Sequence, residues 1–503
     1  MYTIYEYKTK GEKMRKTKIV ATIGPSSESE EMLEKLINAG LNVARFNMSH
    51  GTYEEHLKKI NKIKKLNEKL GTNVGLMLDT KGPEIRLGDF DQDKALLIQD
   101  KEFILTTDIV LGTEQKATVT YKQITKDVKV GSTILLDDGL IGLEVLKVNK
   151  NEVVCKILNT GTIKSKKGVN IPGIKLSLPA LTDRDKQDIK FGIENDIDFV
   201  AASFVRKAQD VLELRQYMDS IGGMNTKIIA KIENEEGIQN LDEILNLVDG
   251  IMVARGDMGV EVDIQLLPSI QKMMIKKAIA KGKMVITATQ MLESMVKNPR
   301  PTRAEVSDVA NAIYDGTGAI MLSGESASGD YPEECVMMMN DIAITTEQNI
   351  DYWNRFKKRN VDKLGAYVDV KTQNKEDKDT FRRQINFAVC SSALFTEAKA
   401  IISISEKGKT PGVLSGYRPG CPIYVFTANE KTYKQLSLQW GVNAMCFKDV
   451  YKFEEILKMG IDKLIEQGKL QRGDVVILGG GTSNDHISEN YLSTQAMGAV
   501  IRI

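Results

Sequence analysis

Short apolar runs alternate with helical patterns from Thr17 to Leu322. Eight of the runs read as strands: Thr17–Ile23, Asn42–Phe46, Val74–Leu78, Phe199–Phe204, Lys227–Ile232, Gly250–Ala254, Met284–Ala288 and Ala319–Leu322. Several are continuously apolar rather than alternating, as parallel strands covered on both faces are. Between them, apolar positions recur at helical spacing and the ends carry punctuation. Met32, Leu33, Leu36 and Ile37 follow Ser26 and Ser27 and stop at Gly40; Leu57, Ile60, Ile63, Leu66 and Leu70 form a stripe that stops at Gly71. Thr302 and Glu305 have the spacing of a capping box, and Pro268 suits a first helical turn. Eight strand–helix units predict an α/β fold, a closed (β/α)8 TIM barrel, with an open doubly wound sheet as the alternative.

The pattern breaks at Leu87. From there to 174 the texture is all-β (FILTT, KATVTY, STILLDDGLIGLEVLKV, EVVCKIL), with turn signals at Asp138-Gly139 and Asn149-Lys150-Asn151. This predicts a small all-β domain, inserted after the third barrel strand and hung over the barrel mouth as a lid. The barrel then spans 15–86 and 175–350, preceded by a polar extension over 1–14. A charged connector follows over 351–380. A second α/β pattern fills 381–503, with strands at Ala400–Ser405, Pro422–Thr427, Val442–Phe447, Val475–Leu478 and Ala499–Ile503, and predicts a C-terminal doubly wound α/β domain.

Composition narrows the partners. Lys and Arg total 69 against 68 Asp and Glu, so net charge favours neither nucleic acid nor an anionic membrane. No apolar run approaches the ~20 residues of a membrane span. The first residues, MYTIYEYKTKGEK, lack the apolar stretch of a secretory signal; Met14 offers an alternative start. Five cysteines, none in a C-x-x-C pair, and three histidines argue against a zinc site and a disulfide framework. They fit a reducing cytosol, and a cytoplasmic protein is expected.

The chemistry collects at strand ends. Lys231 and Glu233 are two apart on one strand and face the same side. The next strand ends in Arg255 and Asp257. Neighbouring parallel strands lie about 4.8 Å apart, close enough for Glu233 and Asp257 to share one hard cation with the Lys231 amine beside it. An amine, two carboxylates and open positions on a metal suit a phosphate-bearing substrate. In ARFNMSHG, Arg45, Asn47 and Ser49 recur at every second position, so a continuing strand aims all three to one side. Asp79 and Thr80, closing the third strand, add oxygens. One negative charge among neutral oxygens suits a monovalent cation better than Mg2+. Arg86 follows a Gly-Pro turn at the hinge to the insertion. Thr287 and Thr289 end the seventh strand, where their hydroxyls can donate to a carboxylate.

These segments, with TKIVATIGPSS, KGVNIPG, LPALTDRD, FVAASFVR and NPRPTRAEVSDVANAIYDGTGAIMLSGESA, resemble the pyruvate kinase family in chain order from Arg15 to Thr345. The resemblance implies a phosphotransferase that moves the phosphoryl group of phosphoenolpyruvate to ADP, giving pyruvate and ATP, the last step of glycolysis. It implies Mg2+ (or Mn2+) on Glu233 and Asp257, and K+ on Asn47, Ser49, Asp79 and Thr80. It makes Lys231, Arg45 and Thr289 catalytic. Substrate would be held by Arg45, Lys231, Gly256, Asp257 and Thr289, the carboxylate reaching the amides of Gly256 and Asp257. Arg86, His50 and Asn47 would meet the nucleotide. Glu84 resembles the potassium-dependent branch of the family. A homotetramer is implied, with the helix from Thr302 to Ile313 resembling its barrel-to-barrel contact. The alternative from another class is a catalytically silent relative that senses a sugar phosphate or nucleotide; a dikinase-like barrel is a third reading, and it leaves ARFNMSHG and LDTKGPEIR unexplained.

SEKGKTPG, at Ser405–Gly412, follows an apolar strand and precedes a helix. Ser405, Lys407, Lys409 and Thr410 there make a candidate phosphate cradle. In the resemblance this loop is the site of sugar-phosphate effectors. Glu406 stands where some fructose-bisphosphate-responsive members carry Lys, and its charge opposes a phosphate. A second glycine-rich run, Leu478–Asp485, is a candidate cover for the same site.

Overall fold

The computed structural model describes residues 14–361, 378–450, 452–479 and 499–503. The N-terminal extension before Met14, most of the charged connector and the glycine-rich run from 480 onward lie outside them. Eight parallel strands close into a barrel: β1 (Lys18–Thr22), β2 (Val43–Asn47), β3 (Gly75–Asp79), β4 (Phe199–Ala202), β5 (Lys227–Ile232), β6 (Gly250–Ala254), β7 (Met284–Ala288) and β8 (Ala319–Leu322). Each pairs with its sequence neighbours, and β1 closes on β8 with Lys18 opposite Ala319.

The continuous apolar character of these strands has two destinations. Ile228, Ala230 and Ile232 pack outward under the helices, while Ile229 joins Val20, Met77, Phe199 and Met252 inside the barrel. That alternation sends Lys231 inward with Ile229. The same parity sends Arg45 inward between outward Ala44 and Phe46, and Asp79 inward after outward Leu78. The helices start where the chain supplies caps. Thr52 with Glu55 and Thr302 with Glu305 are capping boxes, and Gly71, at φ 64°, ends the helix Tyr53–Leu70. The first helix is capped by Ser29, because Ser27 is already used to hold Gly24 N in the turn after β1.

The insertion is a six-stranded sheet with a two-stranded ribbon around its own core of Leu97, Phe103, Leu136, Val145 and Ile163. The C-terminal domain is a five-stranded sheet ordered Val442–Cys446, Ile423–Thr427, Ala400–Ile404, Val475–Leu478, Ala499–Arg502, the last strand antiparallel. Ile401 and Ile423 pack with Val389 and Leu414 on one face, while Ile402 and Phe426 pack with Ile456 and Leu464 on the other. This domain seals the barrel floor. Leu438 enters the barrel's inner cluster and Lys18 Nζ donates to Val442 O at 2.7 Å. Among the described residues no helix is long and apolar enough to cross a membrane.

Candidate active site

The open end of the barrel gathers one polar group from each of several strands. Arg45 Nε donates to Asp79 Oδ2 at 2.6 Å, and its Nη1 to Thr22 Oγ1 at 2.7 Å. Asp79 is 1% exposed and also receives Lys231 Nζ at 3.1 Å. Burial alone pushes the Asp79 carboxyl up; the charges of Arg45 and Lys231 outweigh it and hold it below its ordinary value. Lys231 is pulled down by burial, pushed up by Asp79 and Glu233, and ends above its ordinary value. It is a permanent cation at neutral pH.

Glu233 is fully buried. Its Oε2 accepts from Phe204 N at 2.6 Å. Lys231 Nζ stands 3.0 Å from its Oε1, yet that oxygen receives no hydrogen bond. Burial pushes the Glu233 carboxyl up to about 7; Lys231 pulls it down and the Asp257 carboxylate pushes it back. Asp257 is likewise raised by burial, against Lys231 and a hydrogen bond with Glu233. A fully buried Glu233 and the neighbouring Asp257, both carboxyls pushed up and one Glu233 oxygen lacking a donor, fit a hard divalent cation, which supplies charge to both and fills the empty acceptor.

Asp257 lies in the first turn of the helix Arg255–Glu261, which starts directly after β6. Thr289 approaches from the end of β7. Its φ is 67°, unusual for a β-branched residue, and the turn brings Oγ1 within 2.8 Å of Gly256 N. Arg255 clamps that turn: its Nε donates to Ala288 O at 3.2 Å and its Nη2 to Thr289 O at 2.6 Å, while its Nη1 pairs with Asp308 at 2.7 Å. Thr287 does not join the site. It sits on the outward parity of β7 and bonds Thr317 Oγ1 at 2.9 Å. The two-residue spacing that links it to Thr289 in the sequence is broken by the turn.

A cleft of about 310 Å³ opens between the insertion and the barrel mouth, with Arg86, Lys167, Phe204 and Asp257 on its walls. Asn170 of the insertion spans it to donate to Glu261 Oε1 at 2.8 Å. Arg86 is held there by Glu84 at 2.7 Å and by Lys166 O at 2.8 Å. β2 ends at Asn47, so Ser49 lies in a turn and the alternating-strand argument does not reach it; Asn47 Oδ1 takes Ser49 N at 3.1 Å. Thr80 is buried at the end of β3, its carbonyl and hydroxyl both facing Ser203. His50 is exposed, with its carbonyl 2.8 Å from the His56 ring nitrogen. In the C-terminal domain, Ser405 Oγ accepts Gly408 N at 3.1 Å, and the helix that follows, Lys409–Tyr417, opens with Lys409 and Thr410; Lys407 lies in the turn between. The Glu406 carboxylate is drawn aside to Ala428 N at 3.3 Å.

Thr22, Ser203 and the Phe204 amide are participants that motif and spacing do not single out, and Arg255, legible as a strand-end charge, carries a clamping role that the sequence does not state. Ser203 and Phe204 sit inside the apolar run FVAASF, which reads as one strand; the strand stops at Ala202 because Phe204 takes φ 54°.

The profile described as pyruvate kinase, barrel domain, matches residues 14–336, and the one described as pyruvate kinase, alpha/beta domain, matches residues 383–493. A pyruvate kinase of Staphylococcus epidermidis is 49% identical over 470 residues, 93% of this chain and 78% of that protein. One of Clostridium acetobutylicum is 46% identical over 486 residues, 96% of this chain and 100% of that protein. A crystal structure of a pyruvate kinase from Cryptosporidium parvum superposes with a TM-score of 0.88 at 36% identity, covering 97% of this chain and 96% of that one. With strand order, the cluster at the barrel mouth and both domain profiles in agreement, the chain belongs to the pyruvate kinase family.

Proposed function

We propose that the barrel mouth of this phosphotransferase moves the phosphoryl group of phosphoenolpyruvate to ADP. The P–O bond of the enol phosphate breaks, a P–O bond to a terminal oxygen of ADP forms, and the enolate left behind takes a proton to become pyruvate. The observation that carries the reading is the buried Glu233 beside the Asp257 carboxylate at the barrel mouth, with the Lys231 ammonium 3.0 Å from the Glu233 oxygen that has no donor.

In this reading Glu233 and Asp257 hold Mg2+ or Mn2+, which when bound neutralises charge on the substrate oxygens and orients them. Asp79, Thr80, Asn47 and Ser49 hold K+, a donor set of one carboxylate and neutral oxygens. Phosphoryl transfer asks a protein chiefly for position and charge. Arg45, fixed by Asp79 and Thr22, and Lys231, kept protonated, supply both. Gly256 and Asp257 offer amides to the substrate carboxylate, and Thr289 Oγ1 releases Gly256 N to make room for it. Arg86, His50 and Asn47 receive the nucleotide phosphates in the cleft, and closing the insertion over the mouth excludes water that would hydrolyse the donor.

A lactate dehydrogenase-coupled assay with phosphoenolpyruvate, ADP, Mg2+ and K+ tests the reading: turnover that vanishes without the divalent ion is expected, and its absence under all these conditions refutes the assignment. The intact Lys231, Glu233, Asp257 and Thr289 disfavour a silent sensor. A homotetramer, measured by sedimentation, completes the proposal. So does a sugar-phosphate effector other than fructose bisphosphate at Ser405, Lys407, Lys409 and Thr410; adding sugar phosphates singly to the same assay checks it.

A further inference from the structure

The chain leaves β4 after Ala202 and turns over the barrel mouth, with Phe204 at φ 54°, a conformation costly for an aromatic residue. The turn aims two groups at the end of β5. Phe204 N reaches Glu233, and Ser203 Oγ accepts from Lys231 Nζ at 2.7 Å, nearer than Asp79 at 3.1 Å or Glu233 at 3.0 Å.

Ser203 is 6% exposed and has few choices. Its amide is held by Thr80 Oγ1 at 3.1 Å. Its one hydroxyl proton has two acceptors in range, Thr80 O at 2.6 Å and Asp79 Oδ1 at 3.4 Å, and the distances assign it to Thr80. With the backbone pinned and the proton committed, the oxygen offers its lone pairs to Lys231. Lys231 then makes two hydrogen bonds, to Ser203 and Asp79. Its third N–H has only the ion-pair contact with Glu233 Oε1 at 3.0 Å.

We propose that Ser203 is a positioning residue for the transfer: it fixes the direction of the Lys231 ammonium, so that the N–H without a hydrogen-bond partner faces the phosphoryl group in flight. This rests on the phosphoryl-transfer reading. Ser203 acts through Lys231 and touches no reacting atom. Its effect belongs in the transition state, where the lysine charge is used, rather than in substrate binding.

Ser203→Ala removes the acceptor, and Ser203→Cys substitutes a weaker one of similar shape. In the coupled assay the alanine variant is expected to lose about 10- to 100-fold in kcat, the effect of one hydrogen bond from a charged donor, with KM for phosphoenolpyruvate unchanged. The cysteine variant falls between alanine and wild type. In a Lys231→Met background Ser203→Ala costs nothing further, because the group it positions is gone. An undiminished kcat in Ser203→Ala, or a loss that persists in full beside Lys231→Met, overturns the Ser203 role and leaves phosphoryl transfer standing. A wild-type chain without turnover overturns both. If thermal denaturation shows that the alanine variant does not fold, the cysteine variant decides by the same kcat criterion.

Discussion

Replacing Lys231 with Met removes a charge and keeps most of the side-chain volume. The ammonium is nearly enclosed, 3.1 Å from Asp79 and 3.0 Å from Glu233. Folding survives the change for two local reasons. Asp79 keeps Arg45 at 2.6 Å, and Glu233, already raised to about 7, neutralises itself by holding a proton. Catalysis has no such substitute. A unit charge about 4 Å from charge developing on the phosphoryl oxygens is worth about 4 kcal/mol at an effective dielectric constant near 20, or a factor of about 10³ in rate. The coupled assay should therefore show kcat reduced about 10³-fold or more. Equilibrium dialysis with labelled phosphoenolpyruvate should show binding retained, because Arg45 and the amides of Gly256 and Asp257 remain. A kcat within about tenfold of wild type, in a variant that still binds substrate, would refute the claim that this charge stabilises the transition state.

Three further outcomes follow from the same geometry. The Glu233 carboxyl sits near 7 instead of its ordinary 4.5; the folded chain binds that proton more tightly than the unfolded one, so between those values stability falls as pH rises, by about 3 kcal/mol. Glu233→Gln lacks this titration, and in chelator its Tm should gain on wild type from pH 5 to pH 8; parallel curves would contradict the shift. Gly82 has φ 75°, and a Cβ there lies 2.7 Å from both Ser203 Cβ and Phe204 Cδ2, so Gly82→Ala should cost about 2–4 kcal/mol and lower kcat by displacing the turn that holds Lys231 and Glu233; an unchanged Tm sinks this. Activity should require K+, and equal rates in Na+-only or Tris-only buffer would remove the monovalent site from the account.

Much of the barrel is legible in the sequence because strands buried on both faces are continuously apolar and are bounded by charge. β5 to β8 begin and end where the pattern predicts. β4 reads too long because Ser203 and Phe204 extend an apolar run whose break is a backbone angle, and no residue type advertises a positive φ in a phenylalanine. The different fates of Thr287 and Thr289 hide for the same reason. The φ of Thr289 lifts it out of register with Thr287, so a spacing rule pairs two threonines that the structure separates. Lys231, Arg45 and Asp79 are legible because a charged side chain at an inward position has few uses other than a site. Thr22 and Ser203 are ordinary small polar residues at strand ends, and their partners come from neighbouring strands: Arg45 for Thr22, and Thr80 and Lys231 for Ser203. Parallel pairing of consecutive barrel strands, β1 with β2 and β3 with β4 across the insertion, brings those partners into reach.

The central claim is a shared cation between Glu233 and Asp257 with Lys231 alongside. Anomalous diffraction at the manganese edge, on crystals soaked in Mn2+, addresses it without relying on turnover. The account predicts one strong peak about 2.0–2.4 Å from a carboxylate oxygen of each residue, lost in Glu233→Gln. A peak bound elsewhere, or one that survives that substitution unchanged, would contradict it.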